Sequence, residues 1–175
     1  TALADMTLPE SMRTIQTQAF ADTALTQLTI PKNVKTIGDE AFINCKSLPE
    51  VTVCGTDTEI GTEAFGCTST FTASGQYSYI FIHRVLDHFS VICGKDSTAE
   101  SYAASTGVQT ALFGDVSGDN KINILDVITI NKNILGKEPF TEIQQKQADV
   151  DHSGKPDAQD SLAVMKYIVG LLNSF

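Results

Sequence analysis

Residues 29–42 read TIPKNVKTIGDEAF, and they superimpose without gaps on residues 7–20, TLPESMRTIQTQAF, and on residues 52–65, TVCGTDTEIGTEAF. The closing phenylalanines, Phe20, Phe42 and Phe65, lie 22 and then 23 residues apart. A period of this length marks stacked units, none of which can bury its apolar face alone. Each unit reads as a short strand (Leu28, Ile30), a turn opened by Pro31, a second apolar pair (Val34, Ile37) and a Gly-x-x-Ala-Phe corner. Stacking then places the three phenylalanines in one ladder. Thr1-Ala2-Leu3 matches Thr23-Ala24-Leu25, so the chain is expected to open in mid-repeat with further units before it.

Working outward, the period is lost from residue 66 to residue 90, where residues 76–89 (QYSYIFIHRVLDHF) read as an aromatic strand pair or insertion. The repeat style returns over residues 91–109. Ser97-Thr98-Ala99-Glu100 forms a capping box for a short helix through Tyr102 and Ala104, stopped by Gly107. This helix is the expected terminal cap, with residues 109–113 as the connection to the C-terminal third of the chain. The first segment resembles the short leucine-rich repeats of BspA type, whose consensus is roughly IPxxVxxIGxxAFxxC. Ile30, Pro31, Val34, Ile37, Gly38, Ala41, Phe42 and Cys45 fit it, whereas Gln16 replaces the glycine in the first unit and Cys54 the proline in the third. The resemblance implies protein binding, surface adhesion or a rigid spacer, and names no ligand.

Two windows of twelve residues carry the chemistry. Residues 115–126 read DVSGDNKINILD and residues 149–160 read DVDHSGKPDAQD, in the same register 34 residues apart. Calcium is a hard ion that takes six to eight oxygens, and such a loop supplies them from positions 1, 3, 5, 9 and 12 and from the backbone carbonyl at 7. The first set is Asp115, Ser117, Asp119, the Lys121 carbonyl, Asn123 and Asp126; the second is Asp149, Asp151, Ser153, the Lys155 carbonyl, Asp157 and Asp160. Two calcium ions are expected. With four carboxylates against three, the second loop should bind more tightly. Asn120 occupies the sixth position of the first loop, where glycine is usual, because asparagine enters the left-handed region readily.

Neither loop is expected to follow a full entering helix, since Leu112-Phe113-Gly114 is too short and residues 140–148 read as a brief connector. Paired loop–helix units of this kind resemble a dockerin, the module that attaches cellulosomal proteins to cohesins. The resemblance implies a cohesin partner, a calcium requirement, and a secreted, extracellular, cell-surface or cellulosome-associated setting. The first helix, roughly residues 123–135, carries one apolar stripe at Val127, Ile130 and Ile134 and a second at Ile124, Leu125, Ile128 and Leu135. A module of this size cannot bury both, so the surplus stripe is a candidate interface, the alternative being that it packs on the repeats. The family's contact positions fall on Ile124, Leu125, Ile128 and Lys132, and on Ala158, Gln159, Leu162 and Lys166. Because Ile-Leu and Ala-Gln are unequal, binding in two symmetry-related orientations is not expected.

Composition agrees with this reading. Net charge is −9 and the pI is about 4.6, with no basic patch to neutralise phosphates, which argues against a nucleic-acid partner. No apolar run approaches the ~18 residues of a membrane span. The four cysteines, Cys45, Cys54, Cys67 and Cys93, are too few and too irregularly spaced for a disulfide framework or a zinc site and read as buried free thiols, with a disulfide as the alternative. His83, Asp87, His88 and Cys93 are the available catalytic groups, but no nucleophile elbow or phosphate loop flanks them, so no enzyme is expected. The fold class expected is α+β: a β-rich repeat solenoid over residues 1–110 and a small all-α calcium-binding docking module over residues 114–175. The alternative is a calcium-stabilised surface adhesion protein whose repeats carry the main binding activity.

Overall fold

The computed structural model describes residue 4, residues 6–73 and residues 79–175; the match of Thr1-Ala2-Leu3 to a repeat lies outside them. Short strands recur once per unit on two sides of a stack. β1 (Thr14–Ile15), β3 (Thr36–Ile37) and β5 (Glu59–Ile60) pair in parallel as one sheet. On the other side lie β2 (Thr29–Ile30), β4 (Glu50–Val53), β8 (Ser90–Cys93) and β9 (Gln109–Leu112), also parallel. The register pairs Ile15 with Ile37 and Ile37 with Ile60, which is the sequence repeat translated into hydrogen bonds.

Between the sheets runs the expected ladder. The Phe20 and Phe42 rings stack with centroids 5.1 Å apart, Phe42 and Phe65 lie 5.9 Å apart, and Tyr102 meets Phe65 edge-on at 5.2 Å. Tyr102 belongs to α1 (Thr98–Thr106), and its hydroxyl both donates to the Phe65 carbonyl (2.8 Å) and accepts from the Phe65 amide (3.0 Å). The helix thereby ends the ladder with a ring and satisfies the last backbone groups. Ser97 caps α1 by accepting from the Glu100 amide, and Gly107 closes it at φ 77°, but the expected capping box is not completed, because the Glu100 carboxylate accepts from the Asp96 amide instead of that of Ser97.

The departures from consensus have local reasons. A Cβ on Gly38 would lie 2.3 Å from the Thr17 amide of the preceding turn, so the stack requires glycine there. Gln16, at the equivalent place in the first unit, is exposed and can keep its side chain. The residue before each Ala-Phe pair, Gln18, Glu40 and Glu63, takes a left-handed φ of 53–54°.

The irregular segment is a hairpin: β6 (Cys67–Ala73) pairs antiparallel with β7 (Tyr79–Val85), while residues 76–78 of the expected strand pair lie outside the described residues. Residues 109–113 are not a bare connection. Residues 109–112 form β9, the edge strand of the four-stranded sheet, because the β8–α1–β9 crossover returns the chain beside β8. The expected boundary at residue 110 therefore falls inside a strand. All four cysteines are free thiols; burial pushes Cys54 up to about 12 and Cys93 up to about 11.

The remaining elements are α2 (Ile124–Ile134), α3 (Glu142–Ala148) and α4 (Ala158–Ile168). They close a second core of Phe113, Val116, Val127, Ile130, Ala148, Val150 and Val164 that also takes in Ile92 of β8 and, partly buried, Ala111 of β9. The helical part thus grows from the last strands of the stack. Lys146 of α3 also pairs with Glu50 of β4. The whole is an α+β chain, a β-rich solenoid followed by a helical module.

Candidate metal centre and docking face

The two loops repeat one hydrogen-bond plan. Asp126, buried at position 12 of the first loop, accepts from the Ser117 amide (3.1 Å) and the Asn123 amide (2.8 Å). Asp160, buried at position 12 of the second, accepts from the Asp151 amide (3.1 Å) and the Asp157 amide (2.7 Å). Position 9 has a double task. Asn123 and Asp157 are the N-caps of α2 and α4, each forming a capping box with the aspartate three residues on. Each helix therefore starts inside its loop, and the loop carboxylates meet its positive end.

Position 1 organises the turn. Asp115 accepts from the Gly118 and Asn120 amides, both at 2.8 Å, and Asp149 from the Ser153 and Gly154 amides, both at 2.9 Å. Each loop needs two left-handed residues, at positions 4 and 6. The first uses Gly118 (73°) and Asn120 (61°), and the second His152 (60°) and Gly154 (104°). Asn120 behaves as its residue type foretold, and one glycine per loop, exchanged between the two positions, suffices.

His152 carries a role the sequence reading missed. Its ring meets Phe113 edge-on at 4.7 Å, and its Nε2 is buried with no hydrogen-bond partner among the described residues. Desolvation pushes its pKa down despite Asp149 and Asp151 nearby, so the neutral ring serves as an apolar wedge between loop and core. Nothing but the mismatch of histidine with a left-handed turn position marked it in the sequence.

The donor chemistry fits a hard cation. In the second loop, oxygens of Asp149, Asp151 and Asp160 lie within 4.8 Å of one another, whereas Asp115, Asp119 and Asp126 of the first do not converge to this degree. Burial raises the Asp160 pKa, reinforced by Asp151 and Asp149. A raised native pKa favours the calcium-free fold below the ordinary aspartate range and removes that contribution as pH rises through the raised value. A calcium ion coordinated by Asp160 would have to displace that proton. Its affinity, measured by calorimetry over a pH series, should therefore begin to fall at a higher pH than an ordinary aspartate would dictate, and replacing Asp160 should shift that onset.

Two expectations about the helices need correction. Residues 140–148 are not a mere connector: Thr141 and Gln144 form a capping box, and α3 enters the second loop directly, with Asp149 as its C-cap. Gln144 and Gln147 of this helix also donate to the carbonyls of Val116 (3.0 Å), Leu112 (3.2 Å) and Asp115 (2.5 Å), bracing the first loop. Ile134, assigned to the buried stripe, lies in the last turn of α2 and is 38% exposed. Val127 and Ile130 are buried as expected.

The surplus stripe stays outside. Ile124, Leu125, Ile128 and Leu135 are 54%, 58%, 46% and 71% exposed, so they do not pack on the repeats. Lys132 beside them is exposed and pairs with Glu138 (2.8 Å). On α4, Ala158, Gln159, Leu162 and Lys166 are exposed as well. Met165, Ile168, Val169 and Leu171 enlarge the apolar surface there beyond what the sequence reading credited. The exposed Ser117, Asp119, Lys121, Ser153 and Lys155 line the open sides of the loops.

The four groups weighed for catalysis do not form a site. His83 pairs with Glu63, Cys93 is buried, and Asp87 and His88 are exposed; no hydrogen bond joins any two of the four among the described residues.

Stacked turns with a phenylalanine ladder, followed by twinned acidic loops that cap their own helices, define a repeat solenoid carrying a docking-type module. Residues 1–83 match the family described as BspA type Leucine rich repeat region, in six copies, and residues 113–169 match the Dockerin type I domain. The chain carries these two modules in that order. It is also similar to a protein named "Multidomain esterase" from Ruminococcus flavefaciens, 27% identical over 64 residues, which is 37% of this chain and 8% of that protein. The parallel stack outlasts the repeat match: β8 and β9 extend the same sheet beyond residue 83. No helix among the described residues is long and apolar enough to cross a membrane.

Proposed function

We propose that residues 114–175 are a calcium-dependent docking module that binds a cohesin and so attaches its parent protein to a cellulosome or cell-surface scaffold outside the cell. Residues 1–110 act beside it in protein binding, adhesion or support. The observation that carries this reading is the coincidence of two calcium-type loops with an exposed aliphatic face that begins at loop positions 10 and 11, at Ile124 and Leu125. Calcium would be held by Asp115, Ser117, Asp119, the Lys121 carbonyl, Asn123 and Asp126, and by Asp149, Asp151, Ser153, the Lys155 carbonyl, Asp157 and Asp160. Its contribution is to neutralise the gathered carboxylates. The chain's own residues do the rest: Asn123 and Asp157 start the helices, and the helices present the aliphatic side chains. No catalytic role is assigned to either module.

Aliphatic anchors at the centre of an interface carry most of its energy, while rim lysines such as Lys132 and Lys166 adjust rate and salt dependence. Replacing Ile124 and Leu125 by aspartates should weaken cohesin capture by about 2 kcal/mol or more, roughly thirtyfold. Both calcium ions should still bind, since neither side chain is a ligand. The corresponding change at Ala158 and Gln159 should be milder, and calorimetric titration of the variants against a cohesin panel would show it. Met165 and Val169 make the comparison demanding: if the second-half pair proves the more damaging, the module docks through α4.

A further inference from the structure

The solenoid carries a second group of metal-competent side chains, chemically unlike the loops. Glu40 and Glu63 stand at equivalent corners of successive turns, each with φ 53° before its Ala-Phe pair. β7 of the hairpin runs past this edge, opposite β6, in a register that pairs His83 with Ser69. Ser69 is itself tied to the stack, its amide donating to Asn44 Oδ1 at 2.8 Å. The result is that one ligand atom each from Glu40, Glu63 and His83 lies within 4.8 Å of the others. His83 Nδ1 pairs with Glu63 Oε2, and Glu40 accepts from Gln18 Nε2 of the turn before. Beside them opens a groove of about 420 Å³, lined in part by Glu63, His83, Arg84, Tyr102 and Thr106.

One imidazole nitrogen and two carboxylates are the donor set of a zinc-class ion, which takes three protein ligands and leaves a further position for water. The adjoining groove supplies that open side. Calcium prefers all-oxygen sets, and imidazole turns selectivity toward zinc and its neighbours. We propose that Glu40, Glu63 and His83 bind one zinc-class divalent cation, which fastens the hairpin to two successive turns of the solenoid. Glu40 and Glu63 come from turns already joined by backbone hydrogen bonds, and His83 comes from the hairpin, which is tied to them through Asn44. An ion there replaces the repulsion between two stacked carboxylates with a shared attraction, and it is independent of the calcium loops.

The test uses the full chain with calcium in excess, so that the loops are filled, and zinc as the probe. Calorimetric titration, with metal analysis after desalting, should find one zinc ion per chain, and the thermal midpoint should rise with zinc concentration. His83→Ala and Glu63→Gln should each weaken zinc binding about a hundredfold, given that loss of even an outer-shell partner costs about 10- to 100-fold. Glu40→Gln serves as a second carboxylate variant that leaves the hairpin untouched. The thermal midpoint of each variant in the absence of zinc reports that its solenoid is folded. Absence of zinc uptake by the parent chain would overturn the proposal, and so would undiminished uptake by the folded His83→Ala protein.

Discussion

Phe42→Ala should cost about 3–5 kcal/mol, among the largest losses expected from a single truncation in the solenoid. Phe42 is 1% exposed and is the middle ring of the ladder, with Phe20 at 5.1 Å on one side and Phe65 at 5.9 Å on the other. Neighbouring turns cannot close over the vacancy, because Gly38 and Gly61 already bring their backbones into contact with the turns before them. At about 2–4 °C per kcal/mol for a chain of this size, the thermal midpoint should fall on the order of 10 °C. The same change at Phe20, which is only partly buried, should cost less. Urea denaturation monitored by intrinsic fluorescence would decide the matter, and a Phe42→Ala protein as stable as its parent would contradict the stacked-repeat account.

Removal of calcium should cost the module the two helices that start inside its loops, α2 and α4. Seven aspartates gather in two loops, and without a cation they repel one another. The loops also supply the N-caps of α2 and α4, 11 residues each, which together hold more than half of the helical residues among those described. Chelation of the full chain should therefore remove roughly half of the far-ultraviolet helical signal, while the solenoid strands and α1 persist. Asp149→Ala should be more damaging to total calcium affinity than Asp115→Ala, because the second loop has the more convergent carboxylates. An unchanged spectrum in chelator would show that the module's fold does not depend on the ion.

The parts of this structure that were legible in the sequence are those with a period or a fixed spacing. The phenylalanine ladder follows from a 22- and 23-residue repeat, and the left-handed turn at Asn120 follows from its loop position and residue type. What stayed hidden depends on tertiary placement. β9 could not be read from residues 109–112, since a four-residue strand at a sheet edge is defined only by β8 beside it. α3 did carry a local signal, the capping box of Thr141 and Gln144, which the reading of residues 140–148 as a connector passed over; only the bonds from Gln144 and Gln147 to carbonyls of the first loop depend on tertiary placement. The exposure of Met165 and Val169 depends on how α4 packs in the module, which no helical stripe reveals. His152, which takes a left-handed turn position unusual for its residue type, sets its half-buried ring edge-on against Phe113.

The central claim is that calcium controls attachment through the helical module. It is tested most directly by titrating the full chain against a panel of purified cohesins, in calcium and then in excess chelator, with readdition of calcium as the return step. The account predicts saturable one-to-one binding to at least one cohesin in calcium, its loss in chelator, and its recovery on readdition. Binding of equal strength in calcium and in chelator would contradict it.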